Sequence, residues 1–200
     1  MCGRFENFTR DGWQMDKDFP FDEDHFINKI RENRRINIAP SSKIVGIFIN
    51  DNCTSTELAN WGIKFGDKYP NIINSRIETI VTKQSWNTRF DKKRCVIPMT
   101  AFYEWEGPKG SKIPYRIFLK SEELFFVPGL YHTDNEKNKH VSLITTEPND
   151  FMKRIYKRMP VILEPHEAQE YLFDEAENNI ERCLPYKYSD NMKFEQVSLN

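Results

Sequence analysis

Seven short runs of β-type composition fall between residues 44 and 145: Ile44 to Ile49, Thr54 to Trp61, Arg94 to Ile97, Ala101 to Trp105, Tyr115 to Leu119, Leu124 to Val127 and Val141 to Thr145. Turn formers separate them, at Asn50-Asp51-Asn52, Gly107-Pro108-Lys109-Gly110 and Asp134-Asn135-Glu136. Short β-branched and aromatic segments bounded in this way favour strands joined by tight turns. Helical spacing stands out in three segments. The spacing predicts a surface helix over His25 to Arg35, with Ile27 and Ile30 facing inward and Lys29, Arg31 and Arg34 outward. It predicts further helical portions in Pro148 to Lys157 and in Pro165 to Glu175, where an acidic first turn complements the helix dipole. No repeat, low-complexity tract or linker divides the 200 residues, which are enough for one core. The expectation is a single α+β, β-rich domain over residues 1–200.

Charge limits what such a domain can bind. The net charge is −1 and the pI about 6.5, so the whole-molecule field does not draw in a polyanion, and affinity for nucleic acid requires a local basic surface. The four cysteines, at positions 2, 53, 95 and 183, form no C-x-x-C pair, no metal-ligand spacing with the four histidines and no disulfide framework. We expect no metal, no organic cofactor, and a reducing, cytoplasmic setting. The start of the chain lacks a basic-then-apolar signal pattern, and the longest apolar runs, such as Leu124 to Val127, are too short to cross a bilayer.

Chemistry is concentrated in four places. The chain begins Met1-Cys2-Gly3, and removal of the initiator methionine makes Cys2 the N-terminus. Its α-amine and thiol then form a 1,2-aminothiol: the amine condenses with an aldehyde to an imine, and the thiolate closes a five-membered thiazolidine. Both groups ordinarily titrate near pH ~8 to 8.5. The second place is Asn74-Ser75-Arg76-Ile77-Glu78. If extended, period-two alternation puts Asn74, Arg76 and Glu78 on one face, either a solvated strand surface or a site where Asn74 donates to an oxygen and Arg76 holds a phosphate. In the third, Phe102-Tyr103-Glu104-Trp105, a carboxyl among aromatics has a raised pKa if it is buried and is an ordinary surface group if it is not. Trp105 is either core filler or a platform for an unpaired base, a contact worth ~1 to 3 kcal/mol. The fourth, Lys153 to Leu163, holds four basic residues within six positions ahead of an apolar run, and is the strongest phosphate-binding candidate. Arg31, Arg34, Arg35 and Lys92-Lys93-Arg94 are weaker ones.

Taken in order, these segments resemble the SOS-response-associated peptidase (SRAP) family, the abasic-site processing proteins. The resemblance is carried by Met1-Cys2-Gly3-Arg4-Phe5, Asn37-Ile38-Ala39-Pro40, Trp61-Gly62, Asn74-Ser75-Arg76-Ile77-Glu78-Thr79, Arg94-Cys95-Val96-Ile97-Pro98, Phe102-Tyr103-Glu104-Trp105, Pro128-Gly129-Leu130, Ile144-Thr145-Thr146 and Arg158-Met159-Pro160-Val161-Ile162-Leu163. It implies twisted antiparallel sheets curled into a partly open barrel with peripheral helices. It also implies recognition of abasic sites in single-stranded DNA by a monomer, and capture of the ring-opened aldehyde by Cys2 as a thiazolidine crosslink. Asn74 would orient the sugar or imine, and Glu104 would assist proton transfer. Arg4 and Arg76, with Arg158, would hold phosphates, while Trp105 and the loop from Asn37 to Pro40 would lie beside the splayed strand.

One position departs from the family pattern: a histidine is expected two residues before Arg158-Met159-Pro160, and Tyr156 stands there. Tyrosine donates a hydrogen bond but is a poor base at neutral pH. Two other readings stay open, a thiol peptidase that uses Cys2 with Asn74 in an oxyanion hole, and a non-covalent single-strand-binding module in which Cys2 is idle.

Overall fold

Where apolar and turn-forming residues alternate, strands form. The computed structural model describes residues 2–9, 23–50, 53–66, 68–108, 110–120 and 124–199. Met1, Asp51-Asn52 and Lys109, expected at the processed terminus and in turns, lie outside the described residues. The strands are β1 (Arg4–Glu6), β2 (Lys43–Asn50), β3 (Cys53–Trp61), β4 (Asn74–Arg76), β5 (Arg94–Met99), β6 (Ala101–Glu106), β7 (Ile113–Leu119), β8 (Phe125–Thr133), β9 (Lys139–Thr146), β10 (Met159–Pro160) and β11 (Met192–Gln196). The helices are α1 (Glu23–Glu32), α2 (Ile77–Thr82), α3 (Gln84–Lys92), α4 (Pro165–Phe173) and α5 (Ala176–Arg182).

Five strands close a ring in the order β9-β3-β2-β5-β8, with β8 pairing back onto β9. Four seams are antiparallel and the β3–β9 seam is parallel. That seam and the β2–β5 seam each hold two paired residues, so the barrel is laced loosely there. A second, antiparallel sheet, β1-β6-β7-β11, packs against it.

Strand alternation feeds two cores. Ile44, Phe48, Ile97 and Val127 join Phe5, Phe102 and Ile117 of the second sheet in one. Their neighbours Val45, Ile47, Val96 and Phe126 point the other way, onto Phe26, Ile30, Phe90 and Tyr171 of the helices. Strands buried on both faces carry nearly continuous apolar runs, as these do.

Four expectations need correction. β8 runs past Pro128-Gly129, because the glycine is required by close packing: a Cβ there would meet Cys95 Sγ and Val141 Cγ1 at 3.1 Å. Pro148 to Lys157 is no helix beyond a single 3-10 turn at Met152–Arg154. Buried Asn149 diverts the backbone by accepting from Met152 N (3.0 Å) and donating to Tyr186 O (2.9 Å), the local competition that removes such residues from helix interiors. The extended segment of β4 ends at Arg76, and Glu78 sits in α2 instead of sharing a strand face with Asn74 and Arg76.

The fourth concerns Arg94, which is buried and cannot meet DNA. Its guanidinium donates to Tyr171 O (2.9 Å), Phe90 O (2.8 Å), Asp91 O (2.8 Å), Leu172 O (3.1 Å) and Asp174 O (2.6 Å). It thereby satisfies the carbonyls left open at the ends of α3 and α4. Arg94→Leu is expected to lower stability by roughly 3 to 5 kcal/mol, since several buried carbonyls lose their donor; urea unfolding measures it, and a loss below about 1 kcal/mol contradicts this role.

Candidate functional site

The site is built around a short strand held at both ends. β1 lies on β6 with Arg4 opposite Tyr103, Phe5 opposite Phe102 and Glu6 opposite Ala101. Continuing this antiparallel register carries Cys2-Gly3 alongside Glu104-Trp105. Phe5 is buried edge-on against Trp61, with ring centroids 5.1 Å apart, and exchanges backbone hydrogen bonds with Ile38. Glu6 accepts from Thr100 Oγ1 at 2.9 Å and from Arg116 through Nε at 3.1 Å and Nη2. The Tyr103 hydroxyl lies 2.8 Å from Glu6 Oε2 and 2.6 Å from the Ile36 carbonyl.

Cys2 is fully buried. Its thiol points at the Arg4 carbonyl, 3.7 Å away, and its own carbonyl accepts from Asn74 Nδ2 at 2.9 Å. Asn74 is delivered by β4, which pairs in parallel with β9 and sets Asn74 opposite Leu143. The amide's other atom, Oδ1, is buried and has no hydrogen-bond partner among the described residues. An orphaned acceptor of this kind calls for a ligand or water.

The electrostatics favour neutral forms. Burial pushes the Cys2 thiol up, and the nearby Glu104 carboxylate pushes it further. Glu104 is 2% exposed, and burial raises its pKa too, although positive charge near it, Lys112 included, offsets part of that. A carboxyl held in this way keeps its proton to higher pH than an exposed one does. Glu104 opens with Trp105, Lys112 and Tyr156 onto a cavity of about 370 Å³. Tyr156 also packs against the core that contains Cys2. A larger cavity, about 650 Å³, lies by α5; Glu167, Asp174, Glu177 and Glu181 line it, and none of the candidate catalytic or DNA-binding residues does.

The remaining candidates divide. Arg4 donates Nη1 to Asn37 Oδ1 at 2.7 Å, so Arg4, Asn37 and the half-buried Pro40 belong to one wall beside β1. Arg76 and Arg158 converge on Thr145: Arg76 pairs with it across β4–β9, and Arg158 Nη2 donates to its carbonyl at 2.8 Å. Arg158 is also clamped by the Glu78 carboxylate at 2.6 and 3.0 Å, which holds that carboxyl below its usual range. The basic run from 153 is largely engaged locally, with Lys153 on Asp150 (2.8 Å) and Arg154 over the Phe151 ring.

Sequence reasoning missed Lys112. The signal was the β6–β7 hairpin, whose register sets Pro114 across from Trp105 and Ile113 across from Glu106, bringing the preceding lysine back to the site. Among the described residues no cluster of His, Cys, Asp and Glu is disposed to hold a metal ion, and no helix is long and apolar enough to cross a membrane.

Comparison with known proteins identifies the family and the fold. Residues 1–200 match the family model described as SOS response associated peptidase (SRAP). The chain is 36% identical to the abasic site processing protein YoaM of Bacillus subtilis, over 99% of this chain and 91% of that one. It is 25% identical to the abasic site processing protein YedK of Escherichia coli, over 88% and 81%. A Bacteroides thetaiotaomicron protein of known structure superposes with a TM-score of 0.70 at 26% identity, covering 82% of this chain and 78% of that one. A phage-related protein of Bordetella bronchiseptica shares the fold, with a TM-score of 0.71 at 20% identity over 99% and 95% of the two chains.

A buried carboxyl with a raised pKa costs stability as pH climbs. Above the ordinary carboxylate pKa of 4.5 the unfolded chain releases a proton that the folded state retains, so stability falls with rising pH through the window between the two values. Glu104→Gln is expected to flatten this slope and to raise stability at pH 7 by about 1 kcal/mol. Thermal unfolding between about pH 4 and 8 tests it; an unchanged slope contradicts the burial argument.

Proposed function

The chain belongs to the SOS response associated peptidase (SRAP) family, and from that premise we propose that it senses abasic sites in single-stranded DNA and captures their ring-opened aldehyde covalently through Cys2 once Met1 is removed. Its family and its relatives, named abasic site processing proteins, support a role in handling damaged DNA. The observation that carries the covalent step is the position of Cys2, gripped at its carbonyl by Asn74 and coupled electrostatically to a buried carboxyl at the edge of a cavity.

The steps balance without an outside reagent. The Cys2 amine adds to the aldehyde carbon and gives a carbinolamine. Glu104, when protonated, gives its proton to the carbinolamine hydroxyl, which leaves as water, and an iminium forms beside a carboxylate. The carboxylate then takes the thiol proton, Sγ adds to the iminium carbon, and the C=N electron pair returns to nitrogen. A thiazolidine and a protonated Glu104 result. The high pKa of the buried thiol makes this proton acceptor necessary, because few thiolates form unaided. Asn74 Nδ2 holds the frame from which amine and thiol project, and Oδ1 is the acceptor for the amine or a sugar hydroxyl. Tyr156 offers a hydroxyl in the cavity where the family pattern has a histidine, and a phenol is a poorer base than an imidazole. Steps that need a base there, strand cleavage or crosslink reversal, are then slow while capture proceeds.

On a denaturing gel, Met1-processed protein is expected to give a shifted band with single-stranded DNA bearing one abasic site and none with undamaged DNA. Cys2→Ala abolishes the band, and Glu104→Gln slows its appearance by about 10² to 10⁴-fold. Tyr156→His accelerates reversal more than formation. A band that persists in Cys2→Ala, or acylation of Cys2 by peptide electrophiles with no reaction on abasic DNA, overturns the reading in favour of simple binding or a peptidase.

A further inference from the structure

An abasic nucleotide within a strand carries a phosphate on each side, and both must lie close to Cys2 when its C1′ is in reach. Cys2 sits between two walls: Asn74 on its carbonyl, and Glu104 acting on its thiol. On the Asn74 wall Arg76 is exposed, two residues along the same segment, and joins no hydrogen bond or ion pair among the described residues. Arg158 close by is already clamped by Glu78 and Thr145. On the Glu104 wall, the basic residues singled out in the sequence supply nothing, since Arg4 is turned onto Asn37.

That wall nevertheless has a cation. Lys112 is the one positive side chain among the described residues lining the 370 Å³ cavity, is exposed, and has no hydrogen bond or ion pair among the described residues. A phosphate brought into this cavity faces the Glu104 carboxyl, which is negative during part of the catalytic cycle. Without an intervening cation the two charges repel in a partly desolvated space. Lys112 also lines the cavity with Trp105 and immediately precedes the returning strand of the β6–β7 hairpin, so an unpaired base stacked on the indole leaves its phosphate within the lysine's reach. An ammonium on a flexible stem suits such a contact, because it meets one oxygen as a point charge without the planar geometry an arginine demands.

We propose that Lys112 is a DNA-binding residue that takes the phosphate flanking the lesion on the Trp105 side, while Arg76 takes the phosphate on the Asn74 side; this rests on the abasic-site reading above. The two cations grip the strand from opposite walls and present the sugar between them to Cys2.

The test uses the full chain with Cys2→Ala, which removes covalent capture, and single-stranded DNA carrying one tetrahydrofuran abasic analogue, with affinity measured across a salt series. Lys112→Gln is expected to lower the slope of log K against log salt by about 0.7, the value of one phosphate contact on a single strand, and Lys112→Arg to keep it. Replacing one flanking phosphate by a neutral methylphosphonate should cost the Lys112-containing protein the same slope and cost Lys112→Gln nothing further; Arg76→Gln should behave this way with the opposite phosphate. Unchanged slope in Lys112→Gln, or equal sensitivity to both methylphosphonates, overturns the assignment. A shift in the pH profile of crosslinking by Lys112→Gln with unchanged slope overturns it too, and makes the lysine a group that tunes Glu104. Crosslinking of true abasic DNA by the protein with Cys2 intact is run alongside. Its absence overturns the capture reading itself, whereas its presence with an unchanged slope removes Lys112 alone.

Discussion

Glu6 is a carboxylate only 4% exposed, held by donors from three other positions, Thr100, Tyr103 and Arg116. The Thr100 amide also bonds the Glu6 carbonyl, and Thr100 Oγ1 accepts from Phe8 N. Terminal segments fray unless they are tied down, and this network ties the strand that leads to Cys2, the proposed nucleophile. Removing any one donor leaves a buried charge incompletely met, a costly state. The network is therefore a specifying device: it fixes β1 against β6 in one register, and a one-residue slip would turn Cys2 to the other face. Phe5 against Trp61 and Ile38 completes the anchor from the apolar side.

With the strand fixed, the chemistry follows from what surrounds its end. Cys2 and Glu104 are both poorly solvated, and the Glu104 carboxylate raises the cost of ionising the thiol. Such a pair adds nothing to folding, and in the proposed reaction the carboxyl is the group placed to relay protons for the thiol. The orphaned Oδ1 of Asn74 belongs to the same pattern of groups left unsatisfied by the fold. These departures from ordinary polar bookkeeping concentrate at one spot, as expected of a functional site.

Much of this was legible in the sequence. Seven β-type runs became strands because their composition and turn residues agreed with the tertiary structure, and Ile27 and Ile30 point inward as their spacing required. The motifs around Cys2, Asn74 and Glu104 were visible too, although only the fold shows that they meet. What stayed hidden depends on distant partners. Ring closure through β8–β9 and the parallel β3–β9 seam are long-range pairings with no local signature. Arg94 reads as part of a basic run yet is consumed by the carbonyls of two helix ends. Glu78 reads as a strand residue yet clamps Arg158 from α2. Lys112 has no distinguishing neighbours in sequence and reaches the site only through a hairpin register.

The central claim is that amine and thiol of Cys2 both end bonded to the aldehyde carbon. Intact-mass analysis of Met1-processed protein mixed with a short abasic single strand tests this directly when followed by alkylation of the denatured adduct with iodoacetamide and peptide mapping. The expected adduct weighs the sum of protein and DNA less one water, and Cys2 within it takes up no alkylating reagent while Cys53, Cys95 and Cys183 do. An adduct of that mass whose Cys2 is alkylated, or whose DNA maps to a lysine, contradicts the account.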